Sequence, residues 1–582
     1  MESTKSLSKT DNQIARRDLT NIILIVVVWI VMAILVNPMG DFPLNDDWAY
    51  GKATQSIIEK GNFTLSEGNS ATNLFLQAFW GALFCLPFGF SFSALRISTL
   101  FLGLIGVLAT YGILRQVNAT QQVALLGAFL IILNPIYFGL SNTFMTDIPF
   151  FALAAISLFF LIRGLRSEQQ SDIIIGLILS YSSILIRQFG IMTHLAFGIA
   201  YLAKKGPKKI NIIFALTQAL LAIGLNYGYA KWLSLTHRSS VLLNLQQGHF
   251  VDILLHEKIK SIFYSLDFHT IDSLIYIGLF ISPLLIPIFL KKMKTMSFSE
   301  KRMLAYLVPV FLILSLYRFI KSPALMPLDG NILTVFGIGP LTLHDASIVN
   351  GYKPAIPQVI QFFWIVLTII GILSAIILSY YLVITLQNII QAIGKKESFK
   401  SKWLQIFVIL SILIYFAPLA FVGFFDRYLL LLIPLSMVVV IINEPIVSQS
   451  YSLNKRIFPI LLSISLIFGI FTVGSTHDYL SLNRTRWQAL DYLTKEQHIS
   501  PHLIDGGNEF NSWYLFNPND KYSNNFKPNP KKPKQSWWFV DKDDYMITFG
   551  PLNGYSILEK YTYDTWLPSS PKNIFILRKK EP

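Results

Sequence analysis

Apolar residues along this chain come in long runs broken by short polar stretches, not in the 3.6- or two-residue stripes of half-buried helices and strands. A helix that crosses the roughly 30 Å hydrocarbon core of a bilayer needs about 20 mostly apolar residues. The first such run, 20–36, follows the basic residues Lys5, Lys9, Arg16 and Arg17 and closes on Ile34-Leu35-Val36-Asn37-Pro38. It lacks the small-x-small ending of a cleaved leader, so it reads as an uncleaved anchor. Twelve further runs follow at 95–114, 121–140, 147–165, 172–187, 189–203, 210–233, 271–290, 303–320, 359–386, 403–421, 427–443 and 457–474. The pattern predicts an α-helical polytopic membrane protein of about thirteen spans. A further apolar stretch, 73–90, would make fourteen.

The polar stretches decide that case. With thirteen spans, the loops 115–120, 166–171, 204–209, 291–302, 387–402 and 444–456 share one side. They carry Arg115, Arg166, Lys204-Lys205-Gly206-Pro207-Lys208-Lys209, Lys291-Lys292-Met293-Lys294, Lys395-Lys396 and Lys455-Arg456. Lysine and arginine collect in cytoplasmic loops, so that side and the N-terminal tail 1–19 read as cytoplasmic. Were 73–90 a span, every one of these loops would face outward. It reads instead as a helix lying in, or re-entering, the outer interface. The remaining segments then face outward: 37–94, 141–146, 234–270, 321–358, 424–427 and everything after Gly474.

Composition agrees with a membrane domain. Hydrophobic residues are 53%, charged residues 14% and mean hydropathy is +0.51, whereas soluble domains carry about a quarter charged residues. One cysteine, Cys85, excludes an intrachain disulfide framework and a multi-cysteine metal cluster. The net charge of +15 would suggest nucleic acid in a soluble protein. Here the cytoplasmic segments, extended to Arg163, Asp172 and Glu444, hold 22 Lys+Arg against 8 Asp+Glu, or +14, which leaves +1 for the rest. The excess charge is an orientation signal, and nucleic acid is not among the expected partners. The membrane domain reads as 20–474 with first outer loop 37–94. Residues 475–582 read as a small extracytoplasmic α/β module, with a helix near 485–495 and short strands near 502–504, 537–540, 545–549 and 573–578.

Candidate chemistry gathers on the outer face. The first outer loop reads Asn45-Asp46-Asp47-Trp48-Ala49-Tyr50 before a helical stretch, Gly51–Lys60. Adjacent helical positions point about 100° apart, so one carboxylate can face a cavity while the other serves the helix start, a favoured place for Asp. Asp147, two residues before Pro149, opens a span from the same side; an acid at the hydrocarbon edge usually faces a bundle interior, although it can also cap its helix. Arg187-Gln188 lies between two short spans and breaks the charge bias. Arg427 begins a span, where snorkelling to water is its ordinary use. The segment 326–345 is rich in Gly and Pro and carries His344-Asp345, as a lid or a connector. His249, His256 and His269 lack metal-ligand spacing and read as surface residues.

In order and sidedness these features resemble the GT-C class of membrane glycosyltransferases. The nearest type is the bacterial family that includes the lipid A aminoarabinose transferase; the eukaryotic protein O-mannosyltransferases are more distant. The resemblance is carried by Asp46-Asp47-Trp48-Ala49-Tyr50 with Gly61-Asn62, the interfacial segment 73–90, Leu95-Arg96-Ile97-Ser98, Asp147 before Pro149, Leu185-Ile186-Arg187-Gln188, Arg427-Tyr428-Leu429 with Pro434, and His477-Asp478-Tyr479 through Arg486-Trp487. It covers roughly 20–500.

It implies an inverting transfer of a sugar from a polyprenyl-phosphate donor to a hydroxyl of a lipid, glycan or protein outside the cytoplasm. Asp46 matches the family's catalytic carboxylate, with Asp47 beside it, and Asp147 matches the acid of the second outer loop. Arg187, Arg427, Tyr50 and His344 are candidate substrate contacts. Charge on the leaving phosphate needs a cation near it, either an arginine or a divalent metal ion; no other cofactor is implied. The chain departs from the aminoarabinose type at Glu67, where no nearby cation replaces the acid–lysine pair, so that sugar does not carry over. A transporter or flippase of lipid-linked glycans is the alternative, but paired half-repeats are absent.

Overall fold

The computed structural model describes residues 2–245, 259–328, 330–347, 358–444, 458–518, 539–540, 542–567 and 569–580. His249, His256, Asp329, Lys455-Arg456 and Trp537 lie outside the described residues. The chain folds mainly as helices: α1 (Glu2–Val36), α2 (Asp47–Lys60), α3 (Phe75–Cys85), α4 (Phe92–Gln116), α5 (Gln121–Ile132), α6 (Pro135–Ser141), α7 (Asp147–Ser167), α8 (Gln170–Ile184), α9 (Ile191–Lys205) and α10 (Lys209–Leu235). Then come α11 (Ile259–Met293), α12 (Phe298–Lys321), α13 (His344–Ser347), α14 (Gln358–Ala392), α15 (Lys396–Ser401), α16 (Trp403–Val422), α17 (Leu432–Ile442), α18 (Phe458–Asp491) and α19 (Asn508–Leu515).

Among the described residues, eight helices are long and apolar enough to cross a membrane, or nine if the bent pair α5–α6 is one span. The 62° bend of that pair has a local cause. Pro135 cannot continue the hydrogen-bond ladder, and Asn134 caps the new helix by accepting from the amides of Ile136 at 2.9 Å and Tyr137 at 3.1 Å. The remaining apolar runs fall on α8, α9, α17 and α18. The first three have 15, 15 and 11 residues; the runs read from sequence counted apolar residues that the structure places in one-turn 3-10 segments at Gln188–Gly190 and Asp426–Leu429.

The apolar stretch 73–90 forms α3, of 11 residues. At 1.5 Å per residue it reaches about 17 Å, half of what a bilayer core needs. Its start is docked on the end of α8: Leu74 N donates to Ile186 O at 3.0 Å, Leu76 N to Leu185 O at 3.3 Å, and Asn73 Nδ2 to Ile184 O at 2.6 Å. The unpaired amides of one helix start thus meet the unpaired carbonyls of another helix end.

The polar loops separate to two ends of the bundle. At one end Arg115 pairs with Asp18 at 3.0 Å and Lys205 with Glu168 at 2.8 Å, while Lys204 lies over Trp403. At the other, Arg484 donates to Asn37 O at 2.7 Å, Asn45 N to Glu509 at 3.1 Å, and Phe549 N to Asp345 at 2.8 Å. Each set of contacts joins segments that the charge pattern places on one side.

A hairpin, β1 (Leu333–Thr334) and β2 (Gly337–Ile338), lies in the 321–358 segment. Near the C-terminus β3 (Ile504–Asp505), β4 (Tyr545–Thr548), β5 (Tyr555–Trp566) and β6 (Ser569–Lys579) form one sheet in the order β3-β4-β6-β5. β3 and β4 are parallel and the other pairs antiparallel. Helix α18 runs unbroken through 474 and joins the bundle to this sheet.

Candidate active site

Helix α2 starts at the pair of first-loop acids and turns them apart. Asp46 stands at the N-cap position, yet its side chain makes no capping bond. It faces a cavity of about 490 Å³ instead, with 40% of the side chain accessible. Asp47 turns into the protein, 1% exposed, and accepts from Leu44 N at 3.3 Å. Burial pushes the Asp47 carboxyl up to about 7, against the lowering effect of the Phe144 amide and Arg96. Arg96 holds the loop ahead of both acids by donating to Pro38 O at 2.6 Å, Gly40 O at 3.1 Å and Phe42 O at 2.7 Å.

Asp147 opens α7 but does not cap it. Its carboxylate binds Arg187 Nη1, and both side chains are almost fully buried. Arg427 completes the cluster, with Nη2 3.3 Å from Asp46 Oδ2 and Nε 3.9 Å from Asp147 Oδ2. It is 6% exposed, so it does not snorkel to water. The two guanidiniums flank one ring: Arg187 lies 4.7 Å and Arg427 5.5 Å from the centroid of Tyr428. Asp426 sets this turn in place by accepting from the amides of Ile332, Leu333 and Arg427.

The cluster is not internally satisfied. Arg427 Nε and Nη1 and Asp147 Oδ2 are buried without a hydrogen-bond partner among the described residues. A buried donor left unpaired costs about 1–3 kcal/mol; Nε still faces Asp147 Oδ2 at 3.9 Å, which leaves Nη1 as the donor free to meet another acceptor. Enclosure raises Asp46 above the usual carboxylate range, and Arg427 opposes that rise. Tyr50, buried at the cavity wall, has its phenol pushed up by burial and stays a proton donor.

Asp46, Tyr50, Arg187 and Arg427 therefore meet at one cavity, with Asp147 behind both arginines. Asp47 and His344 do not line it. His344 Nδ1 lies 3.0 Å from Asp505 Oδ2, and Asp345 accepts from Phe549 and Gly550; together they tie the 326–345 segment to the C-terminal sheet, as a connector. His269 is no free surface residue, since its Nδ1 lies 3.0 Å from Ala420 O. Glu67 does have a cation: Lys60, at the end of α2, reaches it at 2.9 Å because the left-handed Gly61 turns the chain back. That pair is exposed and lies away from the cavity. Asn508, Glu509 and Asp426 carry no spacing signal; Glu509 sits 464 positions from Asn45, which it holds.

Among the described residues no group of three or more His, Cys, Asp or Glu is arranged to hold a metal. Of the cluster's carboxylates only Asp46 lines the cavity, and the Arg427 guanidinium lies between it and Asp147. As arranged, the two carboxylates do not converge on one point as ligands of a divalent metal would.

Residues 74–227 match the dolichyl-phosphate-mannose-protein mannosyltransferase family. The matched stretch begins at the start of α3 and ends within α10, and it contains Asp147 and Arg187. No curated protein matches the chain. Among solved structures it is similar to the apo oligosaccharyltransferase of Archaeoglobus fulgidus, with TM-score 0.39 and 14% identity over 82% of this chain and 58% of that one. It is also similar to ArnT of Cupriavidus metallidurans bound to undecaprenyl phosphate, with TM-score 0.39 and 12% identity over 95% of this chain and 97% of that one. The chain thus spans 58% of the oligosaccharyltransferase's length.

Proposed function

We propose that this protein is an inverting glycosyltransferase that moves a sugar from a polyprenyl-phosphate donor to a hydroxyl at the outer face of the cytoplasmic membrane. The observation that carries this reading is a solvent-reachable carboxylate, Asp46, 3.3 Å from a buried guanidinium with unpaired donors, in one cavity at one end of a helical bundle. The family match over 74–227 supports a lipid-phosphate-linked sugar as donor. In this reading the N-terminus is cytoplasmic, α8, α9 and α17 with their adjoining 3-10 turns, together with α18, complete thirteen passages, and residues 475–582 form an extracytoplasmic module.

In the reaction, Asp46 accepts the proton of the acceptor hydroxyl as its oxygen attacks the anomeric carbon. The bond from that carbon to the phosphate oxygen breaks, and polyprenyl phosphate leaves with one more negative charge. Arg427 and Arg187, both buried, face that charge, prepositioned by Asp147 and Asp426. A single displacement inverts the anomeric centre. The acceptor is a lipid, a glycan or a protein hydroxyl.

The test compares glycolipids and glycoproteins of a deletion strain with those of its parent, and fixes the product anomer by NMR. The account expects one sugar missing from one class of acceptor, linked with anomeric configuration opposite to the donor's. Retention of configuration, or accumulation of a lipid-linked glycan in vesicles with no bond formed, contradicts it.

A further inference from the structure

The loop that delivers Asp46 is held from the far end of the sequence. Asn45, immediately before it, sits in the left-handed region at φ 54°, which asparagine adopts more readily than most residues. Its amide donates to Glu509 Oε1 at 3.1 Å. The other oxygen, Glu509 Oε2, accepts from the Thr342 hydroxyl at 2.6 Å and from Arg486 Nη1 at 2.8 Å. Arg486 is itself fixed by Gly506 O at 2.9 Å. Asn45, Thr342, Arg486 and Glu509 are all buried. Three outer segments distant in sequence therefore meet at one carboxylate, one residue away from the proposed base.

Chemistry requires a carboxylate at that position. Donors approach both of its oxygens, and only an ionised carboxylate accepts on both. An amide would turn its NH₂ against either the Asn45 amide or the Thr342–Arg486 pair. Glu509 is also the second residue of α19, whose first residue, Asn508, lines the Asp46 cavity.

We propose that Glu509 is a positioning residue for Asp46, and that the C-terminal region is a working part of the active site rather than an appended module. This rests on the reading of Asp46 as the base. Asp478 supplies the control. It too is a carboxylate that ties down this region, accepting from Trp566 N at 2.7 Å and Leu567 N at 2.9 Å, but it does not touch the Asp46 loop.

The experiment uses full-length protein in nanodiscs, with the polyprenyl-phosphate sugar pool extracted from membranes of the source cells as donor. Glu509→Gln is expected to lower kcat at least tenfold, with the half-saturating donor concentration within twofold. It also speeds amide exchange across 42–50. Asp478→Asn changes neither. Arg486→Gln, which leaves the Glu509 carboxylate in place with Thr342 as its remaining side-chain anchor, gives an intermediate loss with the same exchange signature. The proposal is overturned if Glu509→Gln keeps wild-type kcat, or if Asp478→Asn lowers kcat as much. Asp46→Asn in the same assay separates the two claims: full transfer there sinks the base assignment itself, whereas loss at Asp46 without loss at Glu509 sinks only the positioning role.

Discussion

Two adjacent aspartates meet two environments at the start of α2, and the contrast gives each its own test. Asp46 must be ionised to accept a proton, so transfer rises with pH through its pKa. Arg427 is the nearest group holding that pKa down. Replacing it, Arg427→Gln, is expected to slow transfer about 10²–10³-fold, the usual loss for one donor to a developing charge. It also moves the acid limb of the pH–rate profile to higher pH; a limb that stays in place would show that Arg427 does not act on Asp46. For Asp47 the readout is stability. Its folded pKa of about 7 lies above the ordinary aspartate value of 3.8, so between the two the folded state holds a proton that the unfolded chain has lost. Stability from this group is present at low pH and lost as pH rises from about 4 to about 7. Asp47→Asn is expected to flatten that part of the melting-temperature profile and to raise the melting temperature at pH 8 relative to wild type.

Elements matter here mainly through their ends. The start of α3 satisfies the end of α8, which fixes the stretch 185–188 and with it Arg187. Asn73 lies at the centre, donating to Ile184 O at 2.6 Å and to Asn226 at 3.0 Å. Asn73→Ala should cost about 1–3 kcal/mol through buried acceptors left unpaired and should lower transfer by displacing Arg187; a thermal melt and a transfer assay on one preparation check both. Helix positions were legible in the sequence because apolar runs in a bilayer are set by length alone, which is why α4, α7 and α10 lie where the pattern put them. Ends were less legible. The run 427–443 gave no sign that Asp426–Leu429 forms a separate 3-10 turn, because a single turn is too short to show a period of its own. Strand β5 is not legible because, at a sheet edge, its exposed positions include Ile557, Leu558 and Trp566 as well as polar residues, which blurs the alternation. The cluster of Asp46, Asp147, Arg187 and Arg427 could be gathered from sidedness, since charges at a membrane face have few places to go. Glu509 could not, because nothing local marks a contact across 464 positions.

For the whole molecule, the separation of the loops to two ends is the frame on which the chemistry rests. Single cysteines in a Cys85→Ser background test it in cells with a membrane-impermeant thiol reagent. Ser66→Cys is expected to label from outside, and Lys208→Cys and Ser398→Cys are not. Lys208 is chosen over the neighbouring Gly206 because Gly206 holds φ 82°, a conformation that a cysteine there would strain. Labelling at 208 from outside would invert the topology and move the cavity to the wrong compartment for its substrates. The central claim, that Asp46 is the base of a polyprenyl-phosphate-sugar transfer, is tested most directly by restoring Asp46→Asn and Asp47→Asn separately to a deletion strain, at matched protein levels, and reading the native glycan by mass spectrometry. The sugar is expected to stay absent with Asp46→Asn and to return with Asp47→Asn; unchanged glycosylation with Asp46→Asn would show that Asp46 is not the base.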